Sequence, residues 1–236
     1  GVDDLSVSGL SVALLDGGDD SDYLSSSAQS LAGSVHVMVG GRGDDELRVN
    51  EGQADLSVLL FNRGDGNDAV FAMGAKRTVI SLGGGIALSD LKVTSIQWQS
   101  GSNAYFIDLS LGGTDSLHFH TFGLAGTSAQ SLLIQVADGA GFKVYDLRST
   151  LLALLQAHPS DPSGWDFATH LAGQLTSQSA TQAWGGGLAS RYASDGSLDG
   201  LSASLVQAYL RREGPSAGPS EVPAPPLVGT AGDDVL

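Results

Sequence analysis

The sequence predicts a mainly β fold: a parallel β-solenoid in the N-terminal part, then antiparallel β-hairpins, then a small C-terminal helical region. Three observations lead there. Gly numbers 33 of 236 residues while aromatics make up only 6%, a composition of tight turns rather than of packed helices. A gapless repeat of 23 residues runs through the first third of the chain, and internal periodicity of that length marks stacked supersecondary units. Past it, the apolar pattern changes first to period two and then to a helical period, so the elements change kind along the chain.

Three segments define the repeat: Val12–Leu24, Val35–Leu47 and Val58–Val70. In each, an apolar strand runs into a Gly-rich turn. An Asp follows at a fixed place (Asp22, Asp45, Asp68), and an aliphatic stands two residues later (Leu24, Leu47, Val70). Gly1–Leu5 matches the tail of such a unit and Gly229–Leu236 the head of another, so the chain is expected to be part of a longer repetitive protein. Stacked as rungs of a parallel coil, the units put Leu5, Leu24, Leu47 and Val70 in one inward column. Asp3, Asp22, Asp45 and Asp68 then form a column of carboxylates about 4.8 Å apart.

That column needs a counter-ion. Neighbouring charges about 5 Å apart repel by roughly 3 kcal/mol at an effective dielectric of about 20. Calcium bonds oxygen at about 2.4 Å and accepts carboxylates together with backbone carbonyls, so one ion spans two rungs. Gly18, Gly41, Gly43, Gly64 and Gly66 would supply the carbonyls, their backbone being free to take positive φ. Asp20 stands where other copies have Gly, and Asp tolerates that region better than most residues. The wider composition agrees: of 26 acids 22 are Asp, and 13 of the 26 fall within residues 1–70 beside three bases, Arg42, Arg48 and Arg63. A formal charge of −15 argues against nucleic acid and anionic membranes as partners. No apolar run approaches the roughly 20 residues of a spanning helix, no basic-plus-apolar signal peptide is present, and with no Cys disulfides and thiolate metal sites are excluded.

Gly40-Gly41-Arg42-Gly43-Asp44-Asp45-Glu46-Leu47-Arg48 matches the nonapeptide G-G-x-G-x-D-x-U-x at every specified position. In this the chain resembles the RTX (repeats-in-toxin, haemolysin-type calcium-binding) proteins that Gram-negative bacteria export by type I secretion. The resemblance implies a parallel β-roll that folds on calcium, with metal ligands at Asp3, Gly18, Asp20, Asp22, Gly41, Gly43, Asp45, Gly64, Gly66 and Asp68. The usual roll turn takes two nonapeptides, with calcium on both edges. Here the steps between motif Asp residues are 19, 23 and 23, and the return segments 25–34 and 48–57 lack the motif. An ion ladder is therefore expected on one edge only, with irregular loops on the other. At most three inter-rung sites follow, the one nearest Arg63 being the weakest.

Residues 1–86 thus read as a calcium-binding β-roll. Val79–Ile86 keeps strand and glycines but carries no Asp, which ends the ladder. Over 87–147, the stretches Leu91–Trp98, Ala104–Leu111, Ser116–Phe122, Ser131–Ala137 and Phe142–Tyr145 alternate across Gly-containing turns, a hairpin pattern. Arg63–Asp68, Ala87–Leu91 and Gln135–Gly139 resemble the accessory domain that follows haemolysin-type repeats, which implies a folding cap. Residues 148–213 are helical in period. Ser149 or Thr150 would cap Leu151–Leu155, and Trp165–Leu175, Ala180–Tyr192 and Leu201–Leu210 follow, with Arg211 and Arg212 suited to a helix C-terminus. Five of the seven prolines fall at 215–226, a stiff linker over 214–228 into the repeat head at 229–236.

No enzyme motif is present: neither a G-x-S-x-G elbow, a Walker loop, H-E-x-x-H nor a Rossmann fingerprint. His118 and His120 lie on one strand face beside Asp115 and have the types for zinc, although a solvated strand face accounts for them more simply. Asp161-Pro162 matches the bond at which some RTX relatives cleave themselves, yet it also reads as an ordinary turn before a helix. The sequence therefore points to a non-enzymatic, calcium-binding RTX segment of a secreted or cell-surface bacterial protein, with calcium ions and neighbouring repeats as partners. One alternative is an adhesive module that recognises a cell-surface or carbohydrate ligand, with calcium purely structural. Another is a calcium-dependent self-processing or toxin-delivery unit.

Overall fold

In the computed structural model, which describes residues 1–10, 12–27, 33–50, 55–72, 76–99, 104–120, 131–139, 141–157, 162–176 and 184–211, the strands form two mixed, mostly parallel sheets, followed by short helices. In the first sheet β1 (Asp4–Ser8), β3 (Tyr23–Ser27), β5 (Glu46–Val49) and β7 (Asn67–Ala72) run parallel, and β11 (Asp115–His120), β10 (Ala104–Gly112) and β9 (Lys92–Gln99) continue it. In the second, β2 (Val12–Asp19), β4 (Val35–Arg42), β6 (Leu56–Phe61) and β8 (Arg77–Leu82) run parallel, and β12 (Ser131–Asp138) and β13 (Gly141–Asp146) complete it. The chain crosses from the second sheet to the first at each Gly-rich turn. The expected linker at 214–228, the repeat head at 229–236 and Asp161 lie outside the described residues, as do 28–32 and 51–54 of the return segments.

Register follows from the apolar pattern. Leu5 pairs Leu24, Leu24 pairs Leu47, Leu47 pairs Val70, and Val70 pairs Phe119. On the facing sheet Leu15, Met38, Leu59, Ile80 and Ile134 pair in the same way. Both columns are buried in one core, and each fully buried aliphatic contributes about 1.5–3 kcal/mol. A slip of one residue would turn every member of a column outward, which is why the register is strongly held.

The hairpins extend these two sheets. β11 pairs parallel with β7 and β12 parallel with β8, so the antiparallel strands β9, β10 and β13 are added at the far edges. α1 (Leu147–Ala157) and α2 (Phe167–Ala172) add Leu147, Leu151, Leu154, Phe167 and Leu171 to the same core. α1 starts three or four residues earlier than the sequence suggests, because the Asp146 carboxylate accepts both the N–H and the hydroxyl of Ser149 and serves in place of Ser149 or Thr150. α2 is shorter than Trp165–Leu175: Asp166 accepts the Thr169 N–H at its start and Gly173 ends it.

α3 (Gly186–Asp195) and α4 (Ala203–Arg211) lie elsewhere. Leu188, Tyr192 and Val206 pack with Leu14, Val37, Val39, Val58 and Leu60 on the outer face of the second sheet. That sheet is therefore buried on both faces, and β4 and β6 are buried along nearly their whole length. In the first sheet β1, β3 and β5 alternate between buried and accessible residues.

Candidate cation site at the turn edge

The turns between the sheets bring the motif carboxylates together. The Asp22 carboxylate accepts the Asp3 N–H at 2.7 Å, that of Asp45 accepts the Asp22 N–H at 2.8 Å, and that of Asp68 accepts the Asp45 N–H at 3.0 Å. In the other direction each main-chain carbonyl of Asp3, Asp22 and Asp45 accepts from the next turn, from Tyr23, Glu46 and Ala69. Asp22, Asp45 and Asp68 thus each use Oδ1 to hold the preceding turn. What remains is Oδ2: those of Asp3, Asp22 and Asp45 are buried and accept no hydrogen bond. Asp22, Asp45 and Asp68 are each 4% exposed or less, and an unsatisfied buried oxygen of this kind costs about 1–3 kcal/mol, more if charged.

The electrostatics match. Burial first, and then the charges of Asp22 and Asp44, push the Asp45 carboxyl up to about 6. Burial and the neighbouring Asp45, Asp65 and Asp44 push Asp68 up to about 8, and burial raises Asp22 as well. In both Asp45 and Asp68 the inter-turn N–H works the other way, favouring the ionised form, without overcoming desolvation.

The glycines let a carbonyl of one turn lie close against the backbone of the next. Gly41 has φ +98°, and a Cβ there would stand 1.9 Å from the Gly18 carbonyl oxygen; at Gly66 a Cβ would meet the Gly43 oxygen at the same distance. Gly43 faces the Asp20 oxygen in the same manner. Gly64, beside them, donates its N–H to Asp115. Asp20 takes φ +83°, the one positive φ of a non-Gly residue among the described residues.

The donor set fits a hard cation. Among the described residues no three His, Cys, Asp or Glu side chains converge as a metal cage, so carboxylates alone would not complete a shell. Buried Oδ2 atoms together with turn carbonyls are oxygen donors of the kind calcium accepts at six to eight positions, whereas zinc and copper favour nitrogen and sulfur.

Other residues gather near this edge that the motif does not single out. On the outer side of the turns a cavity of about 280 Å³ is lined by Asp16, Asp19, Arg42, Asp65, Tyr192 and Asp199, among others. Burial, then the charges of Asp199 and Asp22, raise Asp16 to about 7. Asp65 rises to about 7 by burial, opposed by hydrogen bonds from the Asn62 N–H and the Tyr192 hydroxyl. The sequence signal for this was Asp at a variable motif position; its partner lies 127 residues away, beyond any local pattern.

Two further expectations, the histidine pair and the spanning helix, meet the structure here, beside the contacts of two tryptophans. Asp115 does not join the two histidines: it is buried and accepts the Gly64 N–H, whereas His118 pairs with Asp108 and stacks on Phe106. Trp165 stacks on His170 at 4.0 Å between ring centres, and Trp184 lies under the Arg77 guanidinium. No helix among the described residues is long and apolar enough to cross a membrane. Comparison with family models, curated proteins and solved structures gives no match for this chain.

Proposed function

We propose that this chain is a calcium-binding repeat module of the RTX type, a β-roll whose strands alternate between two sheets and whose turn edge takes calcium between successive coils. The observation that carries the reading is the row of buried Oδ2 atoms at Asp3, Asp22 and Asp45 with no hydrogen-bond donor, each beside a carboxylate of the next turn. Asp3, Asp22, Asp45 and Asp68 would hold the ions, with carbonyls of Gly18, Asp20 and Gly43. Bound calcium would supply positive charge beside the buried carboxylates of Asp45 and Asp68, where the neighbouring charges of Asp22, Asp44, Asp45 and Asp65 are all negative.

In this reading the protein does no chemistry. Where calcium is scarce, as in a bacterial cytosol, the ionised column opposes folding and keeps the chain competent for export; where calcium is millimolar, the coil closes. Extracellular calcium modules bind at about 10⁻⁴–10⁻³ M, and a site at ten times its dissociation constant adds about 1.4 kcal/mol. Three sites decide a marginal fold. Calcium titration followed by far-ultraviolet circular dichroism tests this: β signal should rise cooperatively below about 5 mM calcium and fall back on chelation, while magnesium should not replace it. A spectrum indifferent to calcium would refute the reading.

A further inference from the structure

We propose that the α3–α4 hairpin is a calcium-linked clasp, seated by the Asp65–Tyr192 contact only when the third motif turn is formed. The inference rests on the turn edge being a calcium site and concerns what occupancy of that site does to the rest of the chain.

The contact ties the helical hairpin to a side chain of the third turn, beside the apolar packing that α3 and α4 make on the second sheet. Asp65 stands between Gly64 and Gly66 in the third turn, and its main-chain carbonyl accepts the Gly43 N–H of the second turn at 2.7 Å. Its carboxylate accepts two hydrogen bonds, from the Asn62 N–H at 2.5 Å and from the Tyr192 hydroxyl at 2.9 Å. Asn62 in turn donates its side-chain N–H to the Tyr192 carbonyl, and Gly84 donates to the Ala193 carbonyl at 3.0 Å. These three ties of α3 converge on Asn62, Asp65 and Gly84, at the third turn and the one after it, while Trp184 just before the helix exchanges hydrogen bonds with Gln135 of β12.

Burial makes the ties conditional. Tyr192 is 3% exposed and Asp65 5% exposed, so seating α3 on an unformed turn would bury a hydroxyl with no acceptor, which costs free energy that apolar packing alone must offset. An ion between the second and third turns fixes the backbone from Gly64 to Gly66 and with it the place of the Asp65 carboxylate. The consequence reaches the outer face of the second sheet. Val37, Val39, Val58 and Leu60 are covered when the clasp is seated and laid open when it is not, so calcium governs access to an apolar face remote from its own ligands. Coupling of this kind is reciprocal: whatever unseats the clasp weakens calcium binding by the same factor.

The test uses the full chain and calcium alone as probe. Hydrogen exchange with chelator and at 5 mM calcium should show new protection in residues 186–209 with the same calcium midpoint as in residues 12–72. Tyr192→Phe keeps the ring in its apolar site and removes only the hydroxyl. It should fold, raise the calcium midpoint at least about fivefold, and lose most of the calcium-dependent protection of 186–195. Val206→Ala loosens the same hairpin from its far end without touching Asp65 and should raise the midpoint as well. Failure of the wild-type chain to bind calcium by calorimetry would strike the turn-edge reading itself. Calcium binding with unchanged exchange in 186–209, or a wild-type midpoint in whichever variant folds, would overturn the clasp alone.

Discussion

At the scale of single residues, Asp45 is the most informative position. It accepts from Asp22, donates to Asp68, and keeps a buried Oδ2 with no donor. Asp45→Asn preserves an oxygen acceptor for the Asp22 N–H and replaces the free Oδ2 by an amide nitrogen, which cannot ligate calcium. Calorimetry should show fewer bound calcium ions and an affinity lowered roughly 10–100-fold, the cost typical of disturbing a metal site, while the metal-free protein is no less stable. The control is Asp138→Asn, an exposed carboxylate paired with Lys143, which should leave both quantities unchanged; equal behaviour of the two would mean that calcium merely screens charge. Asp115 looks like an equally good control in the sequence, since it lies outside the repeat. It is not one, because it is buried against Gly64 in the edge itself. The spacing of the motif made the Asp column legible. The path that brings β11 back beside β7 is a long-range pairing, and no local pattern announces it.

At the scale of elements, the sequence speaks clearly where a single period rules a segment. Leu91–Trp98 and Ala104–Leu111 alternate, and β9 and β10 lie within a residue or so of those bounds. The inward column Leu5, Leu24, Leu47 and Val70 is likewise readable from the 23-residue step and is the register of β1, β3, β5 and β7. The covering role of α3 and α4 was harder to see, although a trace of it exists. Val35-His36-Val37-Met38-Val39 and Val58-Leu59-Leu60-Phe61 are continuous apolar runs, whereas Leu5-Ser6-Val7-Ser8 alternates. Continuous runs belong to strands buried on both faces, so the second sheet required a cover and the first did not. Which segment supplies it depends on packing between residues more than a hundred positions apart, such as Asn62 and Tyr192.

At the scale of the whole molecule, the buried carboxyls set an unusual pH dependence. Asp16, Asp45, Asp65 and Asp68 all stand well above the ordinary value of 3.8, at about 7, 6, 7 and 8. Between about pH 4 and pH 8 the folded chain therefore holds protons that the unfolded chain releases, and stability falls as pH rises through that window. A net charge of −15 at pH 7 and an isoelectric point near 4.3 push the same way through self-repulsion. The metal-free protein should accordingly melt at a higher temperature at pH 5 than at pH 8, the reverse of common acid lability. With saturating calcium the difference should shrink or disappear, because binding requires the ionised carboxylates and strengthens as they lose their protons. Scanning calorimetry of both forms across this range checks the sign. A metal-free melting temperature that climbs from pH 5 to pH 8 would contradict it.

The bonds that join successive turns have a mechanical meaning as well. Tyr23 to Asp3, Glu46 to Asp22 and Ala69 to Asp45 all run between adjacent strands, along the direction in which the turns are stacked. Tension along that direction loads them one turn at a time, like a zip, rather than shearing many together. Each turn from Asp22 to Asp45 or from Asp45 to Asp68 frees 23 residues when it opens, or roughly 75 Å of contour at about 3.3 Å per residue. Pulled in that geometry, the protein should lengthen in discrete low-force steps of that size in calcium-free buffer, and the steps should move to higher force once ions bridge neighbouring turns. On the proposed reading, such a segment would serve as an extensible tether whose stiffness follows the calcium of its surroundings.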